Sequence, residues 1–284
     1  VETVEDQLNA SAFRFWDDDG GAPRTPHGLV GHLDAILRAS DIETVWALLR
    51  SGLKAYGYSG IIYGYSPMSR GPSLGSREDF LLLSTLDRRV LTTLVDKGYY
   101  HESITFNWAL RNAGVVSWAM TAEDAHMDDF ISSDEALNFF AQFFGKRAGC
   151  TIGFPTASTR GRAVMALIAD PSLSQAEVDE RLVHDSDALF VITTVAHRAM
   201  SALPQLSAER VLTRRQREVL EWVAEGKGVA DIARILNLAQ PTVEKHLRLA
   251  RETLGVETTA HAVIKAAFLN QMFILPPSNG PITD

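Results

Sequence analysis

The side chains best suited to chemistry lie near the C-terminus. In the run QPTVEKHLRLARETL, Thr242, Glu244, Lys245, Arg248 and Arg251 recur at three- and four-residue intervals, which places them on one side of a helix. Val243, His246 or Leu247, Ala250 and Leu254 fall on the other side as an apolar stripe. A helix showing Thr, Lys and Arg along one exposed face can enter a major groove, where its cations neutralise phosphate or reach guanine edges. His246 lies beside the stripe and reads as a packed core histidine, and no second His or Cys stands at metal-ligand spacing. Nothing in the sequence sets a His beside Cys150, and neither a glycine-rich phosphate loop nor a Ser elbow is present. No catalytic residue, no enzyme, no cofactor and no metal site is therefore expected. The run Asp17-Asp18-Asp19-Gly20-Gly21 has the charge to ligate a cation, but beside Pro23 and Pro26 it reads as a solvated tail.

The elements that would position the cationic face follow from local signals. Thr213 caps a helix over Arg214–Ala224 that Gly226 stops, and Val229–Leu236 makes a second, short helix. Asn237-Leu238-Ala239 supplies a tight turn, and Pro241 sits early in the third helix, which runs to Leu254 before Gly255. A fourth helix over about Thr259–Met272 closes the module. This is helix-turn-helix spacing, with Ala233 small enough for close approach and Ile232, Leu236 and Leu238 filling the gap. Residues 205–275 carry a net charge of +2 against −9 for residues 1–204, a basic module on an acidic body.

Residues 29–202 mix helices and strands. Leu29–Tyr56 is helical, with Asp41 an N-cap within it, and Tyr58–Tyr65 reads as a strand ahead of a Ser/Pro/Gly loop over Ser66–Ser76. Helical spacing returns over Leu81–Asp96. A further helix opens at Ser132 and Glu135, a capping-box pair, and Gly149 supplies its C-terminal stop. Short strands near Cys150–Phe154 and Ala163–Ala169 precede a long helix from Ser174 to about Ala202. The predicted fold is α+β here, one sheet with helices on both faces in an α/β/α sandwich, able to hold a small-molecule pocket. The C-terminal module is all-α with four helices.

Composition bounds the class. Of 284 residues, 46 % are hydrophobic and 22 % charged, as in globular proteins, which excludes a chain disordered throughout. A single cysteine forms no internal disulfide, no apolar run approaches the roughly 18–20 residues of a membrane span, and the acidic start lacks a secretory pattern. A cytoplasmic protein without membrane contact is expected.

The C-terminal run from Leu212 to Lys227, with Leu220, Trp222 and Gly226, then Asp231-Ile232-Ala233, Pro241-Thr242-Val243-Glu244-Lys245-His246-Leu247 and Leu254-Gly255-Val256, resembles the LuxR-type helix-turn-helix. Gln216 stands where that family usually has Glu, and Ala239 where it usually has a Ser N-cap. Residues 29–202 have too few strands for a phosphorelay receiver. They are similar instead to the autoinducer-binding domain of quorum-sensing LuxR regulators, through Lys97-Gly98-Tyr99-Tyr100, Val116-Ser117-Trp118 and Lys146-Arg147-Ala148-Gly149-Cys150-Thr151. The resemblance implies a pocket for an acyl-homoserine lactone, with Trp118 packing the lactone ring and Gly149 conserving the family's glycine. Elsewhere the pocket is altered: the carbonyl-binding Tyr falls on Leu86, the donor Trp on Val90, another Tyr on Leu94, and the amide-binding Asp on Ser103, with Ile104 after it.

Three readings stay open: an unusual lactone held by Tyr63, Tyr65, Tyr99 or Ser103, a different and less polar effector, or a pocket closed by Leu86, Val90 and Leu94. The resemblance implies a homodimer on an inverted repeat of double-stranded DNA, with RNA polymerase as a further partner and a dimer surface on the last helix that includes Val263 and Ala267. Alternatives are a ligand-independent orphan regulator, or an interaction protein that heterodimerises with a true autoinducer receptor. The expected divisions are a tail over 1–26, a ligand-binding domain over 27–202, a linker over 203–211, the DNA-binding domain over 212–275, and a tail over 276–284.

Overall fold

The computed structural model describes residues 13–15, 28–75, 80–121, 123–126, 132–156, 158–204 and 211–274. The aspartate run, the expected C-terminal tail and most of the expected N-terminal tail and linker lie outside them. The chain divides into two compact units, one of Phe13–Leu203 and one from Pro204 onward.

The first unit runs β1 (Phe13–Phe15), α1 (Gly28–Arg38), α2 (Ile42–Lys54), β2 (Tyr58–Arg70), β3 (Leu81–Ser84), α3 (Arg88–Asp96), a 3-10 turn (Tyr99–Glu102), α4 (Ile104–Ala109), β4 (Gly114–Ser117), α5 (Asp134–Phe143), β5 (Gly149–Gly153), β6 (Arg160–Ala169) and α6 (Gln175–Ala202). The strands form one sheet in the order β1-β3-β2-β6-β5-β4. β1 lies parallel to β3 and the other neighbours are antiparallel. Strand alternation assigns the faces. Ile61, Tyr63, Cys150, Ile152, Met165 and Leu167 pack against Ile36 of α1, Trp46 and Leu49 of α2, and Ile192 and Met200 of α6. On the opposite face, Leu82 and Val164 pack with Leu91 and Leu94 of α3, Ala109 of α4 and Phe139 of α5.

This is the expected sheet with helices on both faces, and several boundaries differ. β1 falls inside the expected tail, because the backbone of β3 is free to pair on that side. β2 continues through the expected loop to Arg70, with a register shift between Ser66 and Arg70 that absorbs Pro67. Leu81–Ser84 is a fully buried strand rather than helix, since both sheet faces are covered there. Helix α5 is capped one residue late, by Ser133 accepting from Ala136 N–H at 3.2 Å, and Ser132 instead donates to the Glu102 carbonyl at 2.9 Å. It ends at Phe143, so Gly149 opens β5 and does not stop the helix. At α6 the Ser174–Glu177 capping box forms as expected.

The second unit holds α7 (Arg214–Ala224), α8 (Val229–Leu236), α9 (Gln240–Leu254) and α10 (Thr259–Phe268). Gln216 completes a capping box with Thr213, accepting its N–H at 2.8 Å, and its amide also donates to Thr253 Oγ1 at 3.4 Å. A Gln here thus makes the capping bond of a Glu and adds a tie to α9. Asn237 closes α8 in the left-handed conformation, φ 53°, and Gly255 closes α9 at φ 63°. Ile232, Ala233, Val243, Leu247, Ala250 and Leu254 are buried among Val219, Leu220 and Ala262. Leu247 takes the core position, and His246 is only half-buried because it lies one residue off the stripe.

Candidate functional site

Between the sheet and the layer of α3, α4 and α5 lies a cavity of about 580 Å³. Its sheet wall is Ile62, Gly64, Leu82, Thr151, Val164 and Ala166. These are the residues that alternation turns away from the α1/α2/α6 core. The α3 wall is Leu91, Leu94 and Val95, and α5 supplies Leu137, Phe140 and Ala141. The lining is mostly apolar; Tyr100, Glu102, Ser103 and Thr105 bring polar atoms where the 3-10 turn meets α4, and Trp118, Ser132, Arg147, Thr151 and Gln175 add others.

Some of these residues form a chain. The Trp118 indole N–H donates to Thr151 Oγ1 at 2.9 Å, and Thr151 donates to Thr105 Oγ1 at 3.0 Å. Thr105 Oγ1 lies 3.4 Å from Ser103 Oγ, which also accepts the Phe106 N–H at 3.3 Å as the cap of α4. Trp118 meets Phe144 edge-on at 6.0 Å. Gly149 makes room for it: a Cβ there would come within 3.0 Å of the indole and 2.3 Å of the Leu167 carbonyl oxygen. Gln175, at the start of α6, braces the same corner, donating to Gly149 O at 3.0 Å and Asp179 Oδ1 at 2.8 Å. Glu102 also reaches the lining, and its carboxylate accepts the Ser133 N–H at 2.5 Å. The backbone N–H and the hydroxyl of Ser133 together hold that carboxyl below the usual range.

Of the residues singled out in the sequence for the pocket, Leu94, Ser103, Ile104 and Trp118 stand on the cavity wall. Tyr63 and Tyr65 do not, because odd-numbered residues of β2 face the other side. Tyr63 is buried there with its hydroxyl 2.9 Å from His197 Nδ1, and Tyr65 packs edge-on against the same ring. Burial lowers the pKa of His197 to about 4, so the imidazole is neutral at pH 7, and its tautomer sets which way the bond to Tyr63 runs. Leu86 precedes the Asp87 cap of α3, so it shares no helix face with Leu94 and cannot help to fill the space. Val90 lies one residue off the wall, where Leu91 stands, and Tyr99 packs on Phe139 at 5.2 Å while Tyr100 lines the cavity. Tyr100, Glu102, Thr105, Ser132, Arg147, Thr151 and Gln175 are the polar lining residues that sequence reasoning missed. For Thr151 the signal was present, a hydroxyl alternating with Cys150 and Ile152 in a short strand. Cys150 itself faces the core, and burial raises its thiol pKa to about 12.

In the second unit Glu244, Lys245 and Arg248 of α9 are exposed, and Thr242 and Arg251 half-exposed. Lys245 has no partner among the described residues, Arg248 pairs with Glu252 at 2.5 Å, and Arg251 donates to Thr259 Oγ1 at 3.0 Å. A groove lined by Lys245, Arg248 and Arg251 with Val229 and Pro241 runs along this face. On α10, Val263 packs on the unit's own core, while Ala267 is exposed with Ile264 and Phe268. Among the described residues no group of three His, Cys, Asp or Glu side chains is placed to hold a metal, and no helix is long and apolar enough to cross a membrane.

Residues 41–200 match the autoinducer binding domain, and residues 210–266 match the luxR family of bacterial regulatory proteins. The chain is similar to the transcriptional activator protein SolR of Ralstonia solanacearum, 34 % identical over 142 residues, 47 % of this chain and 57 % of that protein. It is also similar to the putative HTH-type transcriptional regulator y4qH of Sinorhizobium fredii, 26 % identical over 180 residues, 62 % of this chain and 52 % of that protein. The chain thus spans little more than half the length of these curated relatives. The crystal structure of Escherichia coli SdiA aligns with a TM-score of 0.48 at 18 % identity, covering 87 % of this chain and 98 % of that one.

Proposed function

From the premise that the chain belongs to the luxR family of bacterial transcriptional regulators with an autoinducer-binding domain, we propose that a small molecule in the cavity controls its binding to double-stranded DNA as a homodimer. The family is one of regulators, not enzymes. The cavity carries the proposal: about 580 Å³ of mostly apolar space with one polar end suits an acyl chain with a compact head. An acyl-homoserine lactone or a related molecule fits that description, and the open space speaks for a filled pocket rather than a collapsed one. By filling the pocket, the effector stabilises the first unit and its paired form by mass action.

The cationic face supports the other half. Lys245 and Arg248 are exposed, Arg248 exchanging its surface pair with Glu252 on contact with phosphate or base edges, and two such heads on half-sites one helical turn apart would read an inverted repeat. The exposed Ala267, with Ile264 and Phe268, gives α10 an apolar surface for a second copy, and Val263 supports it from the core side. The setting is the cytoplasm, with RNA polymerase as the further partner. The test is fluorescence anisotropy of the full chain on operator DNA selected from random duplexes, with and without a lactone panel. Lys245→Ala and Arg248→Ala should each weaken binding about tenfold and lower the salt slope by about one, with unfolding unchanged. Equal affinity in all three proteins would remove the assignment of this face.

A further inference from the structure

The cavity is apolar on one side and polar on the other. It spans the sheet from β3 through β2 and β6 to β5, three interstrand steps or about 14 Å. The lining residues from β2 to α3 carry no polar side chain, whereas every polar one comes from the 3-10 turn onward. The apolar side is also closed, since Leu74, Phe80, Leu82, Leu91 and Leu94 are all buried. On the polar side Leu137 is 53 % exposed, and Arg147 is exposed as well. Leu74 lies diagonally across the floor from Thr151. Thr151 pairs with Ala166 and Ala166 with Ile62, while Leu74 sits over Gly64, further along β2. A Cβ at Gly64 would come within 2.8 Å of Leu74 Cδ1, so the leucine rests on bare strand backbone. Its loop is tied down: Ser69 Oγ donates to the Ser73 carbonyl, and the Gly75 N–H to Ser73 Oγ at 2.9 Å.

Resting on the reading that the cavity holds an effector with an acyl chain, we infer that the chain runs from the polar side toward β2 and β3 and ends against Leu74, which with Gly64 sets the longest tail the protein accepts. The reverse orientation would bury the polar head among Leu74, Leu82 and Leu91, where no lining side chain can hydrogen-bond to it, and leave the tail at the exposed side. Leu82 lies in the floor and Leu91 and Leu94 in the α3 roof, whereas Leu74 comes back from the loop after β2 and closes the end. Each methylene buried before this stop adds about fourfold in affinity. The first one past it gains nothing unless Leu74 leaves its seat, and the hydrogen-bonded loop opposes that.

The experiment is calorimetric titration of the full chain with saturated N-acyl-L-homoserine lactones from butanoyl to tetradecanoyl. Affinity for the natural chain should rise about fourfold per methylene to a limit and then stop rising. Leu74→Ala shortens the stop by about three carbons, so the rise should continue for roughly two or three more methylenes. A lactone two methylenes beyond the natural limit should then bind the variant at least about tenfold more tightly than it binds the natural chain. Leu74→Val is the milder change, keeps most of the packing, and should move the limit by about one carbon. A limit that stays in place in both variants while lactones still bind overturns the inference and leaves the ligand-controlled reading standing. So does a limit that moves in Leu137→Ala and not in the Leu74 variants, because the tail would then point to the exposed side. If no member of the series binds, the reading falls and the inference falls with it.

Discussion

Replacing Thr151 by Val keeps the volume of a side chain that is 2 % exposed and deletes only the hydroxyl. The Trp118 indole N–H, now 2.9 Å from that oxygen, would face a methyl group instead. A buried donor stranded in this way costs ~1–3 kcal/mol, and the added methyl returns a fraction of that by burial. Trp118→Phe removes the donor itself, at the separate cost of lost ring area. In the double variant no N–H is left to strand, so the two costs should fall short of additivity by about 1–2 kcal/mol. Thr105 loses its incoming bond whenever Thr151 is replaced, with or without the indole, so that loss cancels in the cycle. Native-state hydrogen exchange at the slowest amides of β6 reads the stability of the first unit without interference from the second. A coupling within about 0.3 kcal/mol of zero would mean that the indole does not depend on Thr151, and the hydroxyl chain would lose its starting point.

Gly149→Ala should destabilise the first unit by about 3 kcal/mol or more, because its Cβ would meet a ladder carbonyl as well as the indole. A cost under ~1 kcal/mol in urea unfolding would show that the Trp118 seat does not need the glycine. His197, whose pKa is lowered to about 4 by burial, binds no proton in the folded chain where the unfolded chain, with an ordinary pKa near 6.5, does. Stability from this group is therefore full above about pH 6.5 and is lost as pH falls toward 4. Between about pH 7.5 and 5.5 the loss is about 1.3 kcal/mol, and His197→Gln should flatten the profile by that amount. An unchanged pH slope would refute the burial argument. Ala239 caps α9 with no side-chain oxygen, in the extended conformation that a cap requires. Ala239→Ser should add about 1 kcal/mol and raise the melting temperature of the second unit by roughly 4–8 °C, and an unmoved transition would show that the position is not limiting.

The second unit was the more legible in sequence because its signals are local. Thr213, Gly226, Asn237, Pro241 and Gly255 each punctuate a helix within a few residues, and α7 and α8 begin and end where those residues place them. The first unit depends on pairing across long separations. Leu81–Ser84 has a composition that suits helix or strand equally, and only its place between β1 and β2 decides. The four residues of β4 are too few to announce themselves, yet they pair with β5 and position Trp118. At the cavity, residue type pointed to Tyr63 and Tyr65, and strand parity overruled it. A single-residue offset on α3 exchanged Val90 for Leu91. The hydroxyl chain was invisible because Ser103, Thr105, Trp118 and Thr151 come from three separate segments of the chain.

The two faces of the sheet also differ in how long they would resist attack. One side is closed by α1, α2 and the 28-residue α6 over a core that includes Trp46, Leu49, Ile192 and Met200. The other is roofed by short pieces, α3, α4 and α5 of nine, six and ten residues, over a hollow. Local opening begins where apolar contact is thinnest, so the roof is the part that proteases reach first. An effector at 100 times its dissociation constant would suppress that opening by about 2.7 kcal/mol, roughly a hundredfold in cleavage where degradation tracks the open population. The hollow roof would thus tie the chain's resistance to proteolysis to whatever fills the cavity beneath it.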